Sequence, residues 1–562
     1  MSKLHLPRRR RFLGATAAAA ATALAGPAPI AFATGGRKSK HAKRDLALVN
    51  GRIHTLDKHD TIVDSLLIKE GKFARVGGIR DAGDADVINL RGRTVIPGII
   101  DNHVHFIRIG NAVGYDERRL ETAFSVAAAQ KLIRERAKTA PEGEFITALA
   151  GIARRQFAEG RFPNLAELDD AAPRHPVLIS ETGVGQANSL GRDRLRALGV
   201  TVNDDGSMPN HAPAYTALAA FLTNEGRKRQ LLYTADYALE IGLTTVLDMH
   251  GSTPGAGFLD RVTGHDFYLE MVREGTLKVR TRVFFPEQTD LALLSAILDN
   301  RWREFGSDMH KTVGVGEWAP RGSTTYQEAL RRIGERGWLY HQHLISTAEI
   351  QAHLDAFAAY RSANPGLPSP AELHWNLGHV GDITEAQVRQ ANDLGVGMAP
   401  HPWRYLTANT GGPNCRMILD LATVPVGSGL DGARVAPLNP WTGIYMQTTG
   451  RNSGGALVAE AERITRTEAV RMWCGPQQGW FTKEDKLLGG IAVGRFADLA
   501  VLSADVFDAR AVPDDKLRSM TSVLTVVGGN VMHDAGVLHV DKPGHGHDDD
   551  RDDHRHGGGH RD

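Results

Sequence analysis

His103 and His105 stand two residues apart in Ile99-Ile-Asp-Asn-His-Val-His105. In an extended strand, residues i and i+2 project to the same face, so the two imidazoles point together. Two imidazoles at that spacing can share one Zn²⁺ or a similar ion. An isolated His-x-His is more often a pair of core histidines. Its place after Pro97-Gly98 and Asp101, where a strand–helix region begins, gives this one weight. A second pair, His341 and His343, lies in the strand-like run Trp338-Leu-Tyr-His-Gln-His-Leu-Ile. His379 closes Leu373-His-Trp-Asn-Leu-Gly-His, and Asp431 follows the apolar Val424 to Val426. Each falls near the C-terminal end of a candidate strand, where barrel enzymes place their chemistry. One such residue alone is ordinarily structural; four groups in this order are hard to obtain by accident.

The elements that must position them are legible from periodicity. Short apolar runs (Ile99 to Phe106, Thr244 to Leu247, Val279 to Phe285, Leu373 to Val380, Val424 to Gly427) alternate with helical patterns. The helical patterns include Ser125 to Lys138, Ala235 to Ile241, Leu291 to Phe305, Thr347 to Tyr360 and Glu385 to Leu394. This alternation predicts an α/β fold, a TIM-like (β/α)8 barrel with insertions, over 97–486. Before it, 45–96 reads as a small β module, with Asn50-Gly51 between β-like runs predicting a hairpin. A second β-rich piece covers 487–540. Two such pieces flanking one barrel predict a composite β-sandwich built from both ends of the chain.

Length and composition agree. The 562 residues fit one large barrel plus a smaller module. A hydrophobic fraction of 42% supplies a core, and 23% charged residues excludes a wholly disordered chain. The formal net charge of +1 gives no reason to expect nucleic acid or an anionic membrane as main partner. Two cysteines, Cys415 and Cys474, exclude a disulfide scaffold and a Cys-rich metal site, and leave one disulfide open. At the N-terminus, Arg8 to Arg11, Phe12-Leu13, the small apolar run Ala15 to Ala25 and Ala31-Phe32-Ala33 predict a cleaved export signal over 1–33. Arg9-Arg10-Arg11-Phe12-Leu13 is similar to a twin-arginine motif, which implies the twin-arginine export machinery as a partner and an extracytoplasmic location. Residues 34–44 read as a linker, and no stable membrane anchor is expected after cleavage. The tail 541–562, rich in His and Asp, reads as disordered.

The chain resembles the amidohydrolase superfamily of metal-dependent hydrolases, and within it the amidohydrolase-3 group with its YtcJ-like and formamide-deformylase-like members. The resemblance rests on Val49-Asn-Gly-Arg-Ile53, on Val95-Ile-Pro-Gly-Ile-Ile-Asp-Asn-His-Val-His105, on Pro437-Leu-Asn-Pro440 and on Leu488 to Leu502. It spans roughly Asp45 to Val540. It implies that His103, His105, His343, His379 and Asp431 hold one or two divalent ions, with zinc preferred for a histidine and carboxylate donor set. Glu317 is the candidate bridging ligand, with Lys311 as the poorer one. Asp431 would take a proton from water and return it to the leaving nitrogen. His343 and His379 would complete the site or stabilise an oxyanion. Asp101 or Asn102 would fix the tautomer of a ligand.

The chain also departs from the family pattern. Val184-Gly-Gln186 stands where Asp-Gly-His is usual, so Gln186 is the candidate substrate contact there, beside Trp318 and His401. Ser346-Thr347 replaces Gly-Asp, and Ala399-Pro400 replaces Gln-Pro. Trp403 and Tyr405 are further candidates for the pocket wall. The resulting expectation is an exported hydrolase of a non-peptide C–N bond (amide, formamide or cyclic amide) in a small-molecule substrate. Deamination, C–O hydrolysis in the same site and an inactive secreted metal-binding homologue remain the alternatives, and self-association is left open.

Overall fold

The computed structural model describes residues 45–110, 112–149, 151–181, 183–249, 264–285, 291–300, 305–317, 325–432 and 435–541. The export signal, the linker, Trp318 and nearly all of the tail lie outside these residues. Seven parallel strands form one sheet in sequential order. They are β1 (Ile99–Val104), β2 (Leu243–Met249), β3 (Arg280–Phe285), β4 (His310–Glu317), β5 (Leu339–Leu344), β6 (Asn376–His379) and β7 (Gly397–Pro400). All but one of their residues are buried, as expected for strands covered by helices on one face and by barrel contents on the other.

The eighth staff of the barrel is irregular. Segment 425–432 closes the gap between β7 and β1 through bridges Met398–Val426 and Val104–Gly432. Asn102 N donates to Ser428 O at 3.1 Å, and Asp431 N donates to His103 O at 2.8 Å. Glycine is required at 427, where a Cβ would stand 2.1 Å from Asn102 Nδ2. Strand-to-helix alternation continues around the barrel with Asn224–Glu240, Gly264–Glu274, Leu291–Asn300, Tyr326–Glu335, Thr347–Ala363, Glu385–Leu394 and Cys415–Leu421. The Thr347–Ala363 helix explains one departure from the family pattern. Ser346 is its N-cap, accepting from Glu349 N at 3.3 Å, and the Glu349 carboxylate accepts from Ser346 N at 3.1 Å.

Between β1 and Asn224–Glu240 the chain makes a separate five-stranded sheet: Tyr115–Asp116, Ile146–Leu149, Val177–Glu181, Val184–Ala187 and Ser207–Met208. This inserted lobe has its own apolar core around Ile133, Ile146, Leu168 and Ile179. The span 97–486 therefore holds a barrel and a lobe.

The β-sandwich is built from both ends of the chain. One sheet joins Leu46–Val49, Leu66–Lys69, Lys72–Val76 and Asp86–Asn89 with Val540–Asp541. The other joins Arg52–His54, Ile62–Val63 and Thr94–Pro97 with Leu499–Leu502, Ser522–Val527 and Asn530–Asp534. Asn50-Gly51 is not a hairpin. Asn50 turns at φ 55°, but Leu46–Val49 and Arg52–His54 enter different sheets. Local turn chemistry predicts a reversal there, and the packing of two sheets uses it as a crossing instead. Glu70-Gly71 does close a true antiparallel hairpin.

Buried ion pairs tie the sandwich to the barrel floor. Arg280 Nε donates to Asp498 Oδ2 at 2.5 Å, and Gly528 N donates to Asp498 Oδ1 at 2.6 Å. Arg282 on β3 is in a second buried pair, with Glu484 of the segment that precedes the C-terminal β piece. Replacing one partner of a buried pair leaves the other charge uncompensated. Asp498→Ala is therefore expected to cost about 3–5 kcal/mol, read as a lowered urea midpoint, with the metal centre far less affected than the fold.

Candidate metal centre

β1 delivers both of its histidines inward, since they alternate with Asn102 and Val104 along the strand. His103 and His105 are buried. His105 Nδ1 lies 2.7 Å from the Met249 carbonyl at the end of β2, which sets the proton on Nδ1 and leaves the Nε2 lone pair open, although His105 is not among the donors that converge most closely. His103 Nδ1 lies 2.8 Å from His341 Nε2. The outer partners of the two histidines are thus a backbone carbonyl and another imidazole, not Asp101 or Asn102. Asp101 Oδ1 accepts from the backbone N–H groups of His103 and Leu430 at 3.0 and 3.3 Å. Burial pushes its carboxyl up to about 8. Asn102 donates to Gln478 Oε1 at 2.6 Å.

Two carboxylates face these rings. Glu317, the last residue of β4, places Oε2 at 3.2 Å from His105 Nε2 and Oε1 at 3.5 Å from His103 Nε2. Asp431 places Oδ1 at 3.0 Å from His105 Nε2 and 3.6 Å from His103 Nε2. None of these approaches has hydrogen-bond geometry: His103 Nε2, Glu317 Oε2 and Asp431 Oδ1 are buried without a hydrogen-bond partner. Donor atoms of His103, Glu317, His379 and Asp431 all lie within 4.8 Å of one another. Buried polar atoms are ordinarily satisfied, so a converging set left open marks a place for a cation. The residues fit a divalent ion, and four nitrogen and oxygen donors suit zinc or another first-row metal.

Electrostatics point the same way. Burial and Arg108 would push the His105 imidazolium down, but the Glu317 and Asp431 carboxylates hold it up, to about 10. Burial would raise Glu317, yet His105, His103 and His343 hold it well below the usual carboxylate range. The pocket between the two carboxylates therefore favours positive charge.

The remaining walls come from β5 to β7. His343 Nδ1 is 3.0 Å from Glu317 Oε1, so β5 contributes a histidine beside the carboxylate. His341, on the same face of β5, reaches His103 instead. His379 ends β6 at φ 65°, and Asp431 sits at φ 58°. Left-handed backbone is uncommon outside glycine, although Asp and His adopt it more readily than most residues, and it collects at functional sites. His401, a candidate substrate contact by sequence, is buried with its ring centroid 4.5 Å from that of His379 and 4.9 Å from that of His103. Burial, and next the neighbouring histidines, push His341, His379 and His401 well below the ordinary imidazole value. Their neutral form is the one that binds metal.

Other candidates stand apart from the cluster. Lys311, the second residue of β4, lies at the opposite end from Glu317 and pairs with Glu484 at 2.8 Å. The Gln186 amide donates to the carbonyls of Asp205 and Ala187 within the inserted lobe, and no described hydrogen bond joins it to the histidines. Tyr405 donates to the Gly381 carbonyl at 2.8 Å, a structural bond. Trp403 does reach the centre: its indole Nε1 donates to His379 Nδ1 at 2.7 Å. Trp403 also lines a cavity of about 300 Å³ between the barrel and the inserted lobe, with Phe124, Ile152, Arg155, Leu406 and Val435. The lobe is clamped over this cavity by Glu121, whose carboxylate accepts from Leu438 N and Asn439 N at 2.8 and 3.1 Å, just beyond Asp431. Sequence spacing paired His341 with His343 but not with His103, and it did not identify Glu121, because those contacts join elements distant in the chain. Cys415 and Cys474 are buried free thiols, so the disulfide that sequence left open does not form.

A model of the amidohydrolase family matches residues 86–533. N-substituted formamide deformylase of Arthrobacter pascens is 24% identical over 551 residues, 86% of this chain and 98% of that enzyme. Protein LONG AFTER FAR-RED 3 of Arabidopsis thaliana is 30% identical over 294 residues, 47% of this chain. The chain spans about half the length of that relative, 49%. Among solved structures, an uncharacterized metal-dependent hydrolase from Pyrococcus furiosus aligns with 83% of this chain and 100% of its own, at a TM-score of 0.55 and 19% identity. That likeness shows a common fold.

Proposed function

This chain belongs to the amidohydrolase family, and from that premise we propose that it hydrolyses a non-peptide C–N bond in a small amide, formamide or cyclic amide. The observation that carries the reading is the convergence of buried, unpartnered donor atoms from His103, Glu317, His379 and Asp431 on one place. The near full-length similarity to an N-substituted formamide deformylase favours the amide direction.

A divalent ion held there, zinc by donor chemistry, supplies Lewis acidity that polarises a carbonyl and acidifies water. Asp431 takes the proton of the attacking water on the carboxylate oxygen that does not face the histidines and returns it to the departing nitrogen. Glu317 draws His105 and His343 around itself and keeps the donor set in register. His343 faces the developing charge on the carbonyl oxygen and stabilises it. Phe124, Trp403 and Val435 give an apolar wall to the group carried by the nitrogen or the acyl carbon.

The test is a panel of N-alkyl and N-aryl formamides, N-acetyl amines and five- and six-membered cyclic amides, with aryl esters and aminopyrimidines as controls. Amine or ring-opened product from an amide, lost when the metal is removed by chelator and restored by Zn²⁺, is the expected result. Turnover of the esters or aminopyrimidines with none of the amides would move the reaction to C–O hydrolysis or deamination.

We propose also that the chain leaves the cytoplasm by the twin-arginine route. Arg9→Lys/Arg10→Lys/Arg11→Lys should retain the precursor in the cytoplasm, and unchanged export would overturn that. Among the described residues no helix is long and apolar enough to cross a membrane.

A further inference from the structure

We propose that His401 is a metal ligand, and that the barrel interior offers a second cation position formed by nitrogen alone, from His103, His379 and His401. Donor atoms of these three residues lie within 4.8 Å of one another, and all three are buried. Nε2 of each has no hydrogen-bond partner.

The hydrogen bonds around His379 and His401 sharpen the point. Trp403 Nε1 can only donate, and it donates to His379 Nδ1 at 2.7 Å. The His379 backbone N–H donates to His401 Nδ1 at 3.2 Å. Each Nδ1 is therefore an acceptor, yet the two stand 3.0 Å apart. With Nδ1 accepting, a neutral ring carries its proton on Nε2, so an ion held by the unpartnered Nε2 atoms requires the other tautomer, with that proton moved to Nδ1 or released. A neutral imidazole offers one lone pair, so His103 and His379 each serve this position or the carboxylate-lined one, not both at once.

The ligand class follows from the donors. Three imidazoles without a carboxylate select zinc, copper, nickel or cobalt over magnesium, calcium or manganese, which prefer oxygen. His401 is thereby reassigned from substrate to metal. The inference rests on the reading that this chain binds a divalent ion, and not on which bond it cleaves.

The experiment uses the full chain, stripped and reloaded with Co²⁺, as wild type, His401→Gln, Glu317→Gln/Asp431→Asn and the triple variant, each checked by circular dichroism. In Glu317→Gln/Asp431→Asn, Co²⁺ should remain bound with a visible spectrum of nitrogen ligation. Adding His401→Gln should weaken that binding by at least about 100-fold, more than loss of an outer partner does. Binding and spectrum unchanged by His401→Gln in both backgrounds would overturn the proposal and leave His401 as a hydrogen-bond partner of His379. Wild-type protein that binds no Co²⁺ would overturn the metal reading itself, and this inference with it. Cu²⁺ electron paramagnetic resonance on Glu317→Gln/Asp431→Asn is expected to show nitrogen hyperfine structure that loses one equatorial imidazole when His401→Gln is added, and an unchanged pattern would count against His401.

Discussion

His103→Ala/His105→Ala is expected to abolish bound metal, where the wild type should carry one or two ions per chain by elemental analysis. The two side chains share one strand face, and their Nε2 atoms approach both Glu317 and Asp431. Removing them leaves two carboxylates facing each other in a buried pocket, with the raised positive charge of His105 gone. Hydrolysis should fall by more than about 10³-fold, since the stabilisation of developing charge disappears with the ion. Circular dichroism checks that the variant folds, since it also loses two buried rings bonded to His341 and to the Met249 carbonyl. Metal retained at wild-type stoichiometry in the double variant would sink the proposed centre and move attention to the His-rich tail, residues 541–562. A chain ending at Val540 that keeps its ion separates the tail from the centre.

Asp431→Asn is the second large effect. Asparagine keeps the shape and tolerates the left-handed backbone that residue 431 adopts at φ 58°. It removes the only role an amide oxygen cannot fill, taking and returning a proton. The turnover number should fall about 10²–10⁴-fold, the usual worth of a positioned acid–base group. Metal content should be largely retained, because His103, Glu317 and His379 still converge. Parallel loss of metal and activity would make Asp431 a ligand alone and would require another proton carrier. Backbone effects can be told apart by Asp431→Ala, which is expected to lose both, since alanine adopts positive φ poorly.

The contrast between these two variants separates the two parts that the family resemblance assigns to this centre. One set of residues holds charge in place, and one carboxylate moves a proton through it. The inserted lobe adds a third part. Glu121, tied to Leu438 and Asn439, fixes the segment directly after Asp431 and closes the side of the cavity. Burial pushes its carboxyl up to about 7, which Arg118 resists at 3.2 Å.

The sequence by itself determined the features that depend on neighbours in the chain. His103 and His105 share a face because strand side chains alternate with a period of two. The α/β alternation predicts a barrel because a parallel sheet must be covered by helices. The two β-rich ends form a composite sandwich, and the family resemblance placed Asp431 in the eighth staff. Tertiary structure decided what depends on the stagger between strands. Of the two histidines on β5, His343 meets Glu317 and His341 meets His103, and only the shear of the closed barrel assigns each to its layer. His401 faces His379 for the same reason. Gln186 moved to the inserted lobe, and Asn50-Gly51 became a crossing between sheets, because turn chemistry sets the bend while long-range pairing chooses the destination.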